Sequence, residues 1–190
     1  LHNYNNVLKS IQILQNKHGQ FYSPRRITVS TSGIVKNIKR LGNDLKTHIV
    51  ISLNATTDKT RSEIMPVNKK WKIRDLLEVL REFPLPARRR ITFGYVLLNG
   101  INDSKNDARR LVSLLNGLKC KINLIPFNAH GLSPYKRPCA KSVLEFQKIL
   151  QDKNMSVFIR ETRGDDINAA CGMLAASKLE RPITNSQEIV

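Results

Sequence analysis

Five short apolar runs, each broken off by polar or glycine-containing sequence, constrain this chain more than any other feature. They cover residues 27–31, 48–53, 91–98, 122–127 and 156–160. Isoleucine, valine, leucine, threonine and phenylalanine dominate them, which suits strands rather than loops. Their apolar character is nearly continuous, as expected of strands buried on both faces of a parallel sheet. Between them the period changes. Val7/Ile11/Leu14, Leu76/Leu77/Leu80, Ala108/Leu111/Leu114/Leu115 and Val143/Phe146/Leu150 recur at helical spacing. Asp103 or Ser104 is expected to cap the third of these helices and Ser142 the fourth. Pro66, Pro84, Pro86, Pro126, Pro134 and Pro138 are assigned to connections. The order helix, then strand and helix repeated, predicts an α/β chain with right-handed crossovers. Open doubly wound and barrel versions fit this pattern equally well.

In either version ligands gather at the C-terminal ends of the strands. That directs attention to Ser30, to Ser52-Leu53-Asn54, to Pro126-Phe127-Asn128 and to the stretch from Arg160 to Gly164. A chain of 190 residues buries a core of ordinary size but is short for a complete barrel enzyme. Its 32 Lys and Arg against 15 Asp and Glu give a net charge of +17, which favours a polyanionic partner, nucleic acid first. Basic clusters lie at Arg25-Arg26, Lys36/Lys39/Arg40, Lys69-Lys70/Lys72/Arg74, Arg88-Arg89-Arg90 and Lys136-Arg137. Cys120, Cys139 and Cys171 show no metal-ligand spacing, and an odd, unclustered count argues for a reducing compartment. No apolar run is long enough for a membrane span.

Cys171 stands between Ala170 and Gly172 in the run Arg163-Gly164-Asp165-Asp166-Ile167-Asn168-Ala169-Ala170-Cys171-Gly172-Met173-Leu174. Small neighbours leave its sulfur sterically open, as a nucleophile requires. Asp165 or Asp166 is expected to cap the helix that carries it, and the helix N-terminus then favours the thiolate.

This run resembles the C-terminal signature of the radical-SAM RNA adenine carbon-2 methyltransferases. So do Arg25-Arg26-Ile27-Thr28-Val29-Ser30-Thr31-Ser32-Gly33, Ile51-Ser52-Leu53, Met65-Pro66-Val67-Asn68-Lys69-Lys70, Arg90-Ile91-Thr92-Phe93, Asn102-Asp103-Ser104 and Ile122-Asn123-Leu124-Ile125-Pro126-Phe127-Asn128, all in family order. The resemblance implies the C-terminal part of a partial (β/α) barrel, with residues 1–180 belonging to that core and 181–190 forming a tail. It implies S-adenosylmethionine across the strand ends, with Ser30, Ser52, Leu53, Asn54 and Asn128 at the contacting positions. It implies Cys171 as the residue that carries the methyl group. A [4Fe-4S] cluster with its electron donor, and a second cysteine that releases the product, are implied as well. The partners implied are rRNA and tRNA, with no DNA and no membrane, and the protein is expected to be a cytoplasmic monomer, or organellar if a targeting peptide precedes it.

The three-cysteine loop that holds the cluster in the family is not found in these 190 residues, nor is the releasing cysteine. Both are expected upstream of Leu1, so the chain alone is expected to be inactive. Asn54 stands where the family usually has His, Gly94 where it usually has Glu, and Met173 where Gln is common. Two other readings remain open at this level: a related carbon-8 methyltransferase, and a non-catalytic basic RNA-binding paralogue.

Overall fold

A computed structural model describes residues 1–128 and 133–160. Cys171, the expected caps Asp165 and Asp166, and the expected tail 181–190 lie outside the described residues. Five strands form one parallel sheet in the order β1-β2-β3-β4-β5. They are β1 (Thr28–Thr31), β2 (His48–Ser52), β3 (Ile91–Leu97), β4 (Cys120–Pro126) and β5 (Val157–Ile159). Four fall within their apolar runs, and β4 begins two residues ahead of its run, at Cys120. Between and before them run α1 (Tyr4–Gln15), α2 (Val35–Asp44), α3 (Asp58–Ile64), α4 (Ile73–Arg81), α5 (Lys105–Leu115) and α6 (Ala140–Gln151).

Spatial order equal to chain order settles the architecture between the two versions. Every crossover steps one strand in the same direction, so right-handed connections place their helices on a single face. A doubly wound sheet would reverse its order midway. The arrangement is an arc of a (β/α) barrel. In line with this, α2 packs on α4 and α5 on α6.

The covered face of the sheet carries Val29, Ile49, Ile51, Phe93, Tyr95, Leu97, Ile122 and Leu124, all buried against apolar faces of these helices. Each fully buried aliphatic or aromatic side chain there contributes on the order of 2 kcal/mol. Tyr95 stacks on Phe146 of α6 with ring centroids 5.5 Å apart. Gly42 marks the closest backbone approach: a Cβ there would come within 2.7 Å of Pro84 and 2.8 Å of the Phe83 ring, so α2 seats on the α4–β3 connection only with glycine at that position.

Two expectations for the caps part ways. Ser104 caps α5, its hydroxyl accepting from the Asp107 N–H at 3.1 Å while the Asp107 carboxylate accepts from the Ser104 N–H at 3.3 Å. This is a reciprocal capping box. For α6 the cap is Cys139, three residues ahead of Ser142, and its sulfur accepts from the Ser142 N–H at 3.5 Å. A sulfur acceptor takes the role for which Ser142 was expected, because the helix begins one turn earlier. Pro126 also differs from its assignment to a connection: it is the last residue of β4, paired in register with Leu97, where the strand is ending and its missing N–H costs least. No described helix is long and apolar enough to cross a membrane.

Candidate active site

Alternation along the strands puts a second set of side chains on the face away from the helices. The register aligns Ser30 with Val50 and Thr92, and Ser52 with Gly94, Asn123 and Phe158. No described helix packs on this face. Ser30 and Phe158 are exposed, and Ser52, Val50 and Asn123 are half-buried. Adjacent parallel strands lie about 4.8 Å apart, so each row presents a continuous line of groups across the sheet. The hydroxyls of Ser30 and Ser52 have no hydrogen-bond partner among the described residues. Gly94 is the lowest point of this surface. A Cβ there would meet Ile125, Val50 and the Ile51 carbonyl only at 3.9 Å, an ordinary contact, so the position has room above it.

The residues expected to line a ligand site divide by what they are doing. Ser30 and Ser52 offer free hydroxyls at successive rows toward the C-terminal end. Asn128 lies two residues past β4, its amide oxygen accepting from Arg137 Nη1 at 2.9 Å. Leu53 is fully buried, its N–H donates to the Gly94 carbonyl at 3.0 Å, and its carbonyl is engaged by Arg61. Asn54 adopts a left-handed backbone (φ 58°), a conformation that asparagine tolerates better than most residues. Its Oδ1 accepts from the Val96 N–H at 2.9 Å and its Nδ2 donates to Met65 Sδ at 3.2 Å. The side chain of Asn54 is thus spent inside the protein, tying the end of β2 to β3.

Two side chains that hold this end together were not among the expected site residues, although Asn102 lies in one of the family-like phrases. Arg61 of α3 is 0% exposed. Its Nε donates to the Leu53 carbonyl at 3.0 Å, its Nη1 to Asn68 Oδ1 at 3.0 Å, and its Nη2 to the carbonyls of Ser32 and Ser52 at 2.8 and 3.2 Å. Burial pushes its guanidinium down to about 10, and the nearby Asp58 offsets part of that. It therefore stays charged at neutral pH, a buried cation held by the carbonyls that end β1 and β2. Asn102, also fully buried, donates to the carbonyls of Asn54 and Val96 at 2.7 Å each and accepts from the Leu98 N–H at 2.7 Å. A further network braces the loop after β2: Thr56 and Arg110 both donate to Asp107 Oδ1. Burial alone would raise the Asp107 carboxyl, but hydrogen bonds from Ser104, Thr56 and Arg110 outweigh it and hold it below the usual carboxylate range. Asn123 was legible in principle, as the polar residue alternating with Ile122 and Leu124.

This surface suits a nucleoside-containing ligand: free hydroxyls, a glycine hollow and rigid walls at strand ends. It does not supply an iron–sulfur cluster. Among the described residues no group of three His, Cys, Asp or Glu side chains is placed to hold a metal. Cys120 is half-buried at the start of β4, with its thiol pushed up to about 11 by burial, while Cys139 is exposed at the start of α6.

No family model matches the chain. Individual relatives match it nearly end to end. A protein of Syntrophotalea carbinolica named dual-specificity RNA methyltransferase RlmN is 44% identical over 188 residues, covering 99% of this chain and 51% of that protein. The protein of the same name from Desulfotalea psychrophila is 51% identical over 178 residues, covering 94% and 49%. Among solved structures, a radical SAM methyltransferase from Sphaerobacter thermophilus superposes with a TM-score of 0.87 at 39% identity, covering 90% of this chain and 51% of that one. The chain spans about half the length of the curated relatives it matches.

Proposed function

We propose that this chain, which belongs to the RlmN family of radical-SAM methyltransferases, is part of an enzyme that methylates carbon-2 of adenosine in rRNA and tRNA. The observation that carries this reading is the match of nearly the whole chain to about half the length of proteins named as dual-specificity RNA methyltransferases, on a parallel sheet whose strand-end face carries Ser30 and Ser52. Bound across β1, β2 and β3, S-adenosylmethionine supplies an activated methyl group. The roles of this chain's residues follow from their placement. Ser30 and Ser52 donate or accept hydrogen bonds toward the ligand. Gly94 leaves room for its bulk. Arg61, Asn54 and Asn102 fix the loops that form the rim, acting as positioning residues rather than contacts. Cys171, by the family resemblance, would be the residue that holds the methyl group, as a thiolate nucleophile toward the activated methyl that S-adenosylmethionine would supply. A carrier of this kind is needed because carbon-2 of adenine is not nucleophilic and cannot attack the sulfonium itself. The unclustered cysteines agree with a reducing setting.

The ligand surface is tested through its hollow. Gly94→Ala is expected to fold with a melting temperature close to wild type, since its Cβ meets nothing nearer than 3.9 Å, and Gly94→Trp is used once its own melting curve shows a folded protein. In the whole protein it is expected to weaken S-adenosylmethionine binding by at least about tenfold, measured by calorimetry, because the indole occupies the space the ligand needs. Unchanged affinity in a folded Gly94→Trp protein would move the ligand off this face.

A further inference from the structure

The opposite end of the sheet carries a second concavity with a different chemistry. A cavity of about 710 Å³ lies at the N-terminal ends of β3, β4 and β5. The connections that lead into these strands line it, and they contribute Arg88, Arg89, Arg90, Lys119 and Lys153. No Asp or Glu is among its described lining residues. Two carboxylates on the flanking helices have partners elsewhere: Asp44 accepts from the Tyr4 hydroxyl and pairs with Arg40, and Glu82 pairs with Lys39, while Asp152, the C-cap of α6, adjoins Lys153 and offsets one of the positive charges.

A structural explanation for these cations is the helix dipole, since α4, α5 and α6 all end here. Three C-terminal ends supply about −0.5 charge each, roughly −1.5 together, against five full positive charges. With Asp152 counted as well, a net positive charge is left over. Its field reaches the neighbouring strand: His48 is held below the usual imidazole range by burial first, and then by Arg89 and Lys121. Two of the cations are anchored into fixed positions. Arg89 Nη1 donates to the Lys46 carbonyl at 2.6 Å and Arg90 Nη1 to the Ser156 hydroxyl at 2.7 Å. Arg88 is more telling. It is exposed and sits at φ 62°, in the turn closed by the Arg89 N–H on the Pro86 carbonyl. That left-handed position favours glycine, and an arginine held there costs about 1 kcal/mol or more. The two neighbouring connections place Gly117 and Asn154 at their left-handed positions, the residues expected on conformational grounds.

We infer that this basic cavity is a second RNA contact, taking backbone phosphates of the substrate about 20 Å from the strand-end surface, the length of a seven-residue strand. The inference rests on the RNA-methyltransferase reading for the identity of its partner. It assigns to the far end of the barrel a positioning role in which phosphates are held without reading sequence. Arg88 contributes charge at the expense of local stability, while Lys119 and Lys153 extend the contact across the mouths of β4 and β5.

The test uses the whole protein, a fluorescent unmodified tRNA transcript as probe, and anisotropy titrations between about 50 and 200 mM KCl. The triple variant Arg88→Gly/Lys119→Gln/Lys153→Gln is expected to bind about tenfold more weakly near 100 mM salt, with the slope of log K against log salt reduced by about two to three. Arg88→Gly alone is expected to raise the melting temperature while weakening binding, a combination that a merely structural arginine does not give. S-adenosylmethionine affinity should be the same in all of them. If wild type binds tRNA and the triple variant matches it in affinity and slope, the cavity is not an RNA contact and the functional reading stands. If wild type fails to bind tRNA at any salt, the RNA reading falls and this inference with it. If inorganic pyrophosphate binds wild type at micromolar concentration, is lost in the triple variant, and tRNA binding is unchanged, the site belongs to small polyphosphates and the inference is overturned.

Discussion

Arg61→Met is expected to destabilise the fold by about 4 kcal/mol, in the range of the largest single-residue effects. The guanidinium has no contact with water and spends its donors on three backbone carbonyls and the Asn68 side chain. Each hydrogen bond made by a charged group contributes roughly 1.5–3 kcal/mol, and each acceptor left unpaired in the interior costs about 1–3 kcal/mol. Relief of the arginine's own desolvation offsets part of this sum, which is why the net is near the cost of one or two bonds rather than four. Asn68 compounds the loss. Its Oδ1 faces Arg61 while its Nδ2 donates to the Asp58 carbonyl, Asp58 Oδ1 and Ser62 Oγ, so the turn after α3 loses its anchor as well. Arg61→Lys should recover only part of the difference, because an ammonium cannot present donors in the arginine's planar fork. Urea unfolding measures both variants. A change under about 1 kcal/mol for Arg61→Met, with an unchanged denaturant slope, would mean that the strand ends are held by packing alone.

The second large effect concerns Cys171, which lies outside the described residues and whose role comes from the family resemblance. In the whole protein, Cys171→Ala is expected to abolish the methylated form of the peptide that contains residue 171, seen in wild type as a gain of one methyl by mass spectrometry. Turnover should fall by at least about a thousandfold, as removal of a covalent nucleophile generally does. Cys171→Ser should not restore it, since a hydroxyl forms far less of its anion than a thiol does. A methyl found instead on Cys139, which the Ser142 hydroxyl and N–H hold below the usual thiol range, would transfer the carrier role to that residue.

How much of this was legible in the residues depends on which interactions write themselves into local sequence. The five strands were, because a strand covered by helices needs near-continuous apolar character whatever its neighbours are. The order of the strands was not. Single and double winding share the same local pattern and differ only in which edge each crossover joins, so the barrel arc emerges only when β1 to β5 are seen in sequence order. The cap of α5 was legible only as a choice between Asp103 and Ser104, which the structure gives to Ser104 while Asp103 accepts from the Gly100 N–H; Cys139 was not legible, because a thiol is seldom the acceptor at a helix start. Arg61 shows the sharpest limit. Among 32 basic residues in a chain of net charge +17, one guanidinium in the interior is indistinguishable in sequence from those on the surface.

Of the expected contact positions, the structure gives the local environment and no ligand. Ser30 and Ser52 carry hydroxyls with no partner among the described residues. Asn54, which departs from the family's usual His, is taken up by Val96 and Met65. Gly94, which departs from the usual Glu, leaves a hollow rather than a hole in the packing. Both departures are therefore accommodated by the fold, and neither disturbs the arrangement of Ser30 and Ser52.

The most direct test is to express the whole protein in cells that lack their own adenosine carbon-2 methyltransferase and to quantify 2-methyladenosine in their rRNA and tRNA by mass spectrometry. The account predicts that the modified base appears with wild type and is absent with Cys171→Ala made to the same level. Its absence with both, in cells where the protein is folded and its S-adenosylmethionine binding is intact, would contradict the account.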